Sequence, residues 1–355
     1  MLGRGTEGTS RVVTLPAQYA KPMRLLVLGG TSFVGRAVVE AALARGWRVT
    51  TFNRGLRVSR RQDVETLRGD RLRPLDLAPL ADRRWDAVID TWSGAPRAVR
   101  DSAHVLASGS DSYLYVSSRS VYAPPPLRGQ SEDADTVESS PDADEVPYPE
   151  AKRGGELAVL AEFGERALLA RAGLILGPYE DVGRLPWWLL RMDRGGRVLA
   201  PGPPDLPLQY VDARDLARWL LDAAAAHLGG AFNLVSRRGH ATMAELLEAC
   251  QTVTGGKAQL IWAEPAIVAA AGIEAWTELP IWLPPDHPFA ALHDGNVERA
   301  FGAGLRCRPV VETVADTWAW LQSIEKEPPI RPDRDRPGLD PVREQEALAL
   351  VSNSR

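Results

Sequence analysis

Apolar and polar positions fall into alternating strand-like and helix-like blocks along the first half of the chain. Met23-Arg24-Leu25-Leu26-Val27-Leu28 is a nearly continuous apolar run, the pattern of a strand buried on both faces. It leads into Gly29-Gly30-Thr31-Ser32-Phe33-Val34-Gly35, and a helical pattern from Arg36 to Arg45 follows directly. Arg48 to Phe52 predicts a second strand. Val64 to Leu67, Ala87 to Asp90, Tyr113 to Val116 and Ala167 to Arg171 predict four more, most of them separated by helical runs. Alternation of this kind predicts an α/β fold with a parallel sheet, whose ligands bind at the carboxyl ends of the strands. Gly29, Arg54, Asp70, Thr91 and Ser117 all follow a predicted strand and therefore share that edge.

The first strand, glycine turn and helix form a dinucleotide-binding unit of the Rossmann type. Glycines let the backbone approach a pyrophosphate, which then rests on the amide-rich start of the helix. Gly29, Thr31, Ser32, Phe33, Val34 and Gly35 are the expected contacts, with Ser32 standing where a third spaced glycine is usual. The second strand ends in Asn53-Arg54-Gly55, where NAD-preferring proteins usually place an acid for the ribose diol. A neutral Asn53 beside Arg54 removes the repulsion an acid would exert on a 2′-phosphate, so NADP(H) is the expected cofactor and NAD(H) the alternative.

The candidate chemistry lies in Ser118-Arg119-Ser120-Val121-Tyr122 and, some thirty residues on, Tyr148-Pro149-Glu150-Ala151-Lys152. Tyr148 and Lys152 are one helical turn apart on one face, so the ammonium can bias the phenol and still contact a ribose. Lys152 is one of only four lysines in the chain, which makes a chance pairing with tyrosine at this spacing uncommon. Reducing a carbonyl by hydride creates an alkoxide that needs a proton, which Tyr148 would supply while Ser118 donates to the same oxygen.

These motifs resemble the short-chain dehydrogenase/reductases, and within them the extended, epimerase-like branch. Ser118, Tyr148 and Lys152 match the family's catalytic positions, and the likeness runs from about Met23 to Trp320. It includes Arg171-Ala172-Gly173-Leu174-Ile175-Leu176-Gly177-Pro178 and Gln209-Tyr210-Val211-Asp212-Ala213-Arg214-Asp215. Phe52-Asn53-Arg54-Gly55, the segment Trp276 to Pro284 and the tail resemble an actinobacterial group known only as reductases or epimerases. The resemblance implies further cofactor contacts at Asp70 and Arg71 and a substrate contact at Arg184; Thr91, Ser117 and Leu174 are also expected at the cofactor, and Arg119 and Trp188 at the substrate. Sugar dehydratases of this branch place Asp-Glu after the catalytic hydroxyl residue; Arg119-Ser120 stands there, which argues against dehydration. An NADP-type pocket points to net reduction of a sugar-like or secondary-metabolite ketone. Redox-neutral, NAD-dependent epimerisation is the alternative, and a nucleotide-sensing or RNA-associated protein a remote one.

The remaining features change this picture little. At 355 residues with 45% apolar content, the chain can bury a large core. The expected organisation is a disordered extension (1–22) and a Rossmann domain (23–178), with the sheet completed by segments near 207–234. A smaller substrate lobe (179–325) and a tail (326–355) follow. The net charge of -4, with mixed signs, offers no basic surface for nucleic acid, and Arg57, Arg60 and Arg61 make only a short cluster. Two cysteines and five histidines suggest neither a disulfide framework nor a metal site, and His240 and His287 read as loop residues. No apolar run reaches membrane-spanning length and 1–22 lacks a signal-peptide core, so a cytoplasmic enzyme with a small-molecule substrate is expected. Ala123 to Pro147 reads as a long surface loop beside the substrate mouth. Trp187, Trp188, Trp262, Trp276 and Trp282 either line a substrate pocket or pack the small lobe. The Pro- and charge-rich stretch from Glu325, followed by a short amphipathic helix from Val342 to Val351, either docks on a neighbouring subunit of a homodimer or frays.

Overall fold

The computed structural model describes residues 22–56 and 63–353. The extension at 1–21 and the arginines at 57, 60 and 61 lie outside the described residues. In chain order the first half comprises β1 (Arg24–Leu28), α1 (Phe33–Ala44), β2 (Arg48–Asn53), β3 (Glu65–Arg68), α2 (Ala78–Ala81), β4 (Ala87–Asp90), α3 (Pro96–Leu106), β5 (Tyr113–Ser118), α4 (Tyr148–Phe163) and β6 (Ala167–Ala172). The second half continues with β7 (Leu174–Leu176), α5 (Arg184–Asp193), β8 (Gly196–Pro201), β9 (Pro207–Leu208), β10 (Tyr210–Asp212), α6 (Ala213–Ala225), β11 (Gly230–Leu234), β12 (Ala241–Thr242), α7 (Met243–Val253), β13 (Ala258–Ala263), α8 (Pro265–Ala270), α9 (Glu298–Gly302), α10 (Val310–Ser323) and α11 (Pro341–Asn353).

Seven strands form one parallel sheet in the order β11-β6-β5-β4-β1-β2-β3. The order reverses at β1, which makes the sheet doubly wound and opens a crevice at the carboxyl ends of β1 and β4. Successive residues of β1 serve opposite faces: Leu25 and Val27 join a core with α1 and α6, while Leu26 and Leu28 join one with α3 and α4. Burial on both faces is why the strand reads as an unbroken apolar run. Of the segments near 207–234, β11 joins the large sheet, whereas β10 pairs with β7 in a separate two-stranded sheet.

Away from the two faces of the sheet, the second lobe has a core of its own, the second core of the molecule, built from α5, α7, α10 and the parallel pair β8–β13. Helix α7 starts with a reciprocal capping box between Thr242 and Glu245. The tail packs against its own chain. Leu339, Ala347, Leu348 and Val351 are buried in this same core, and Glu344 meets the Arg191 guanidinium at 2.7 Å with both side chains buried. Four apolar side chains and a carboxylate with its own internal partner hold the tail on its own chain. Among the described residues, no helix is long and apolar enough to cross a membrane.

Candidate active site

At the end of β1 the chain turns through Gly29 and Gly30, with φ of +118° and +90°. A Cβ on Gly29 would lie 2.5 Å from Thr91 Oγ1, and one on Gly35 would lie 2.7 Å from the Gly30 nitrogen. The turn therefore requires glycine at these positions, with the Thr91 hydroxyl held in place by donating to the Leu28 carbonyl at 3.1 Å. Helix α1 begins beyond Ser32, whose side chain makes no capping bond, so the first-turn amides remain open to an anion. Gly29, Thr31, Ser32, Phe33, Val34, Gly35 and Thr91 all border one cleft of about 1440 Å³, enough for a dinucleotide and a second small molecule.

The rim beyond β2 and β3 is more mixed. Asn53 accepts the Gly55 amide at 2.9 Å through Oδ1, shaping the turn that presents the exposed Arg54 to the cleft. Asp70 likewise accepts the Leu72 amide at 3.0 Å. Arg71 departs from expectation. It borders the cleft, but its guanidinium turns inward to a bidentate pairing with Asp90, at 2.6 and 2.7 Å, and also donates to Ser102 at 3.0 Å. Asp90 is fully buried at the end of β4 and would be an uncompensated charge without it, so the guanidinium has a structural task in the fold.

Strand β5 delivers Ser117 and Ser118 to the same cleft. The Ser117 hydroxyl donates downward to Glu156 at 2.7 Å, within a buried network that includes Arg171. Ser118 faces the opening, and its Oγ accepts the Ser120 amide at 3.1 Å. Tyr148 is the first residue of α4, with Lys152 one turn later, and both border the cleft with Ser118 and Leu174. The Lys152 ammonium is buried and donates to the carbonyls of Trp92 and, at 2.7 Å, Val116. Two of its three donors are thus taken and one remains. Burial pushes its pKa down to about 7; Asp90 opposes that shift and Arg331 reinforces it.

The substrate side contains one clear correction. Trp188 is fully buried in the second core and donates its indole N–H to the Pro280 carbonyl at 2.8 Å, so it borders no part of the cleft. Trp282 is buried in the same core. Trp276 does face the cleft, with the Arg184 guanidinium 5.0 Å from its ring. Arg184 opens α5, and Glu180 accepts its backbone amide at 2.7 Å. Arg119 also borders the cleft but is deeply buried; it donates to the Leu292 carbonyl at 2.8 Å, and its Nε has no partner. Loop residues Pro124, Pro126 and Val137 flank the opening. His293, passed over in the sequence, borders the cleft but accepts the Gln209 amide through Nδ1, so Nε2 donates to the Ile281 carbonyl. Burial holds its pKa below the usual histidine range.

The largest omission is the tail. Arg331, Pro332, Asp333 and Arg334 cross the cleft, with the Arg334 guanidinium 5.0 Å from the ring of Tyr148. Their Pro- and charge-rich composition reads as a linker, and only the run of arginines was available as a signal. Among the described residues, no cluster of three or more His, Cys, Asp or Glu could hold a metal.

The fold and this edge define a Rossmann-type enzyme that binds a nicotinamide dinucleotide. Residues 25–234 match the model of the NAD-dependent epimerase/dehydratase family, and the chain belongs to that family. No curated protein matched in sequence. Among solved structures, the Bordetella bronchiseptica enzyme WbmH, in complex with NAD+, is similar at 16% identity and a TM-score of 0.63, over 85% of this chain and 99% of that one. A UDP-N-acetylglucosamine 4-epimerase from Methanobrevibacter ruminantium, in complex with UDP-N-acetylmuramic acid, is similar at 15% identity and a TM-score of 0.64, over 86% and 100%. The UDP-glucuronic acid 4-epimerase of Bacillus cereus, in complex with NAD, is similar at 15% identity and a TM-score of 0.59, over 85% and 99%. At such identities these likenesses show the fold, which agrees with the extended short-chain dehydrogenase/reductase resemblance. The description of the matched family covers epimerases and dehydratases.

Proposed function

We propose that this protein is a nicotinamide-dinucleotide-dependent epimerase of a small, sugar-like alcohol, with Ser118, Tyr148 and Lys152 as its catalytic residues. The observation that carries the reading is the placement of all three on one cleft with the glycine turn. The dinucleotide's pyrophosphate would rest on the amides of residues 31–35, and its nicotinamide ribose on the remaining Lys152 donor. When bound, the dinucleotide supplies a site that accepts a hydride and gives it back. Tyr148 takes the proton of the substrate hydroxyl as the carbon loses its hydride, and Ser118 donates to the resulting carbonyl oxygen. After the ketone has turned its other face, Tyr148 returns the proton as the hydride is restored, so substrate and product differ only in configuration.

A second reading, NADPH-dependent ketone reduction, is favoured by Arg54, which faces the cleft where an acid would mark NAD. The two separate on one preparation: denature the purified protein, identify the nucleotide released, then titrate the stripped chain with NADH and NADPH. Stoichiometric NAD that survives purification supports epimerisation. Exchangeable, NADPH-selective binding transfers the conclusion to a reductase, and no affinity for either nucleotide overturns both.

A further inference from the structure

The tail is held on both sides of the cleft. Before it crosses, the Arg331 amide donates to the Asp181 carbonyl and its guanidinium to Ser93 Oγ, each at 2.9 Å, while Asp333 neutralises that guanidinium at 2.7 Å. After it crosses, the Gly338 amide donates to the Thr277 carbonyl at 2.8 Å and Leu339 enters the second core. Between these anchors a turn, closed by the Arg334 amide on the Arg331 carbonyl at 3.2 Å, carries the Arg334 side chain to Tyr148.

Charge pairing distinguishes these arginines. Arg331 has Asp333, and Arg71 has Asp90. Among the described residues, Arg334, Arg184 and Arg119 have no ion pair, although all three border the cleft. Glu180, the acid beside Arg184, directs its carboxylate to two backbone amides, of Arg184 at 2.7 Å and Leu185 at 3.3 Å. Burial pushes its pKa up to about 7, which weakens it further as a counter-ion. Arg119 leaves Nε buried and unpartnered at the same cavity. Arg119 is withdrawn from water and Arg184 half-buried, while Arg334 stands exposed at the cleft mouth. A buried guanidinium without a carboxylate is costly, and a ligand oxyanion, which the fork geometry of all three fits, is the compensation this cleft can supply.

We propose that Arg334, carried by the tail over Tyr148 and assisted by Arg184, is a specificity-determining residue that binds an oxyanion, carboxylate or phosphate, on the substrate near its reacting carbon. The inference rests on the reading of Tyr148 as the proton-transfer residue. It makes the C-terminal segment part of its own chain's active site, so substrates without the anion are bound poorly while the dinucleotide is not affected.

The test uses the full chain saturated with its nicotinamide dinucleotide, which closes the glycine-turn anion site. Inorganic phosphate and malonate are titrated calorimetrically at low salt into wild type, Arg334→Gln, Arg334→Lys and, as a surface control, Arg237→Gln. We expect one oxyanion site per chain, weakened about tenfold or more by Arg334→Gln, partly restored by lysine and unchanged in the control. Tighter phosphate binding assigns a tetrahedral group to the substrate, and tighter malonate binding a carboxylate. Unchanged dinucleotide affinity in Arg334→Gln certifies its fold. Equal oxyanion affinity in wild type and Arg334→Gln, or none in wild type, overturns the inference and leaves the proposed function standing. Failure of wild type to bind any nicotinamide dinucleotide overturns the proposed function, and the inference with it.

Discussion

The floor and the cover of the cleft differ in how their polar side chains are held. On the floor, at the strand ends and the start of α4, Lys152, Ser117, Arg71 and Asn53 each have partners within the protein. On the cover, Arg184 and Arg334 lean on aromatic rings and, among the described residues, pair with no carboxylate. A floor with its hydrogen bonds already made needs no reorganisation when chemistry begins, whereas unpaired guanidiniums gain most when an anion arrives. The contrast implies that reaction type is built into the sheet edge and substrate choice into the second lobe and tail.

The sharpest way to break the contrast is Tyr148→Phe. Removing the one group placed to move the proton should lower turnover about 10³-fold or more, with dinucleotide affinity unchanged. Single-turnover kinetics and a binding titration on the same preparation check it; retained turnover would remove Tyr148 from the chemistry. For the second lobe, Trp188→Ala should act through packing alone, because the indole is fully buried and does not border the cleft. About 3–5 kcal/mol of unfolding free energy should be lost, measured by urea denaturation. A specific loss of substrate affinity at unchanged stability would instead return Trp188 to the substrate site.

Lys152 sharpens the comparison through pH. Its folded pKa is depressed to about 7 from 10.5, so between these values the unfolded chain holds a proton that the folded chain has released. Stability of the nucleotide-free protein should therefore rise with pH above about 7, with a slope of up to ~1.4 kcal/mol per pH unit from this residue. Below that window the penalty is present in full. Lys152→Met should abolish this contribution, seen as the difference between the two proteins' urea-unfolding curves from pH 6 to pH 9.5. Parallel curves would show that the ammonium is not desolvated. The smallest expected effect is at the cofactor rim, where Arg54→Asp should shift the NADPH to NADH affinity ratio about tenfold toward NADH. An unchanged ratio would separate Arg54 from cofactor choice.

Much of the floor was legible in the chain because its geometry is local. An apolar run ending in Gly29-Gly30 specifies strand, turn and helix within a dozen residues, and the Tyr148 to Lys152 spacing specifies one helix face. Parallel alternation likewise brought the strand-end residues to one edge, since a doubly wound sheet has only one carboxyl edge. Tertiary packing decided the rest. Arg71 turned inward because Asp90, nineteen residues on, is a buried carboxylate that needs a cation. Trp188 entered the core and Trp276 faced the cleft, although composition treats the two indoles alike. The tail crossed Tyr148 because α11 buries its apolar face and Glu344 against the second lobe, a contact between segments some 150 residues apart. Local periodicity limits which neighbours along the chain share a face, but which distant segments meet depends on the surfaces that remain after each element has formed, and these exist only in the folded molecule.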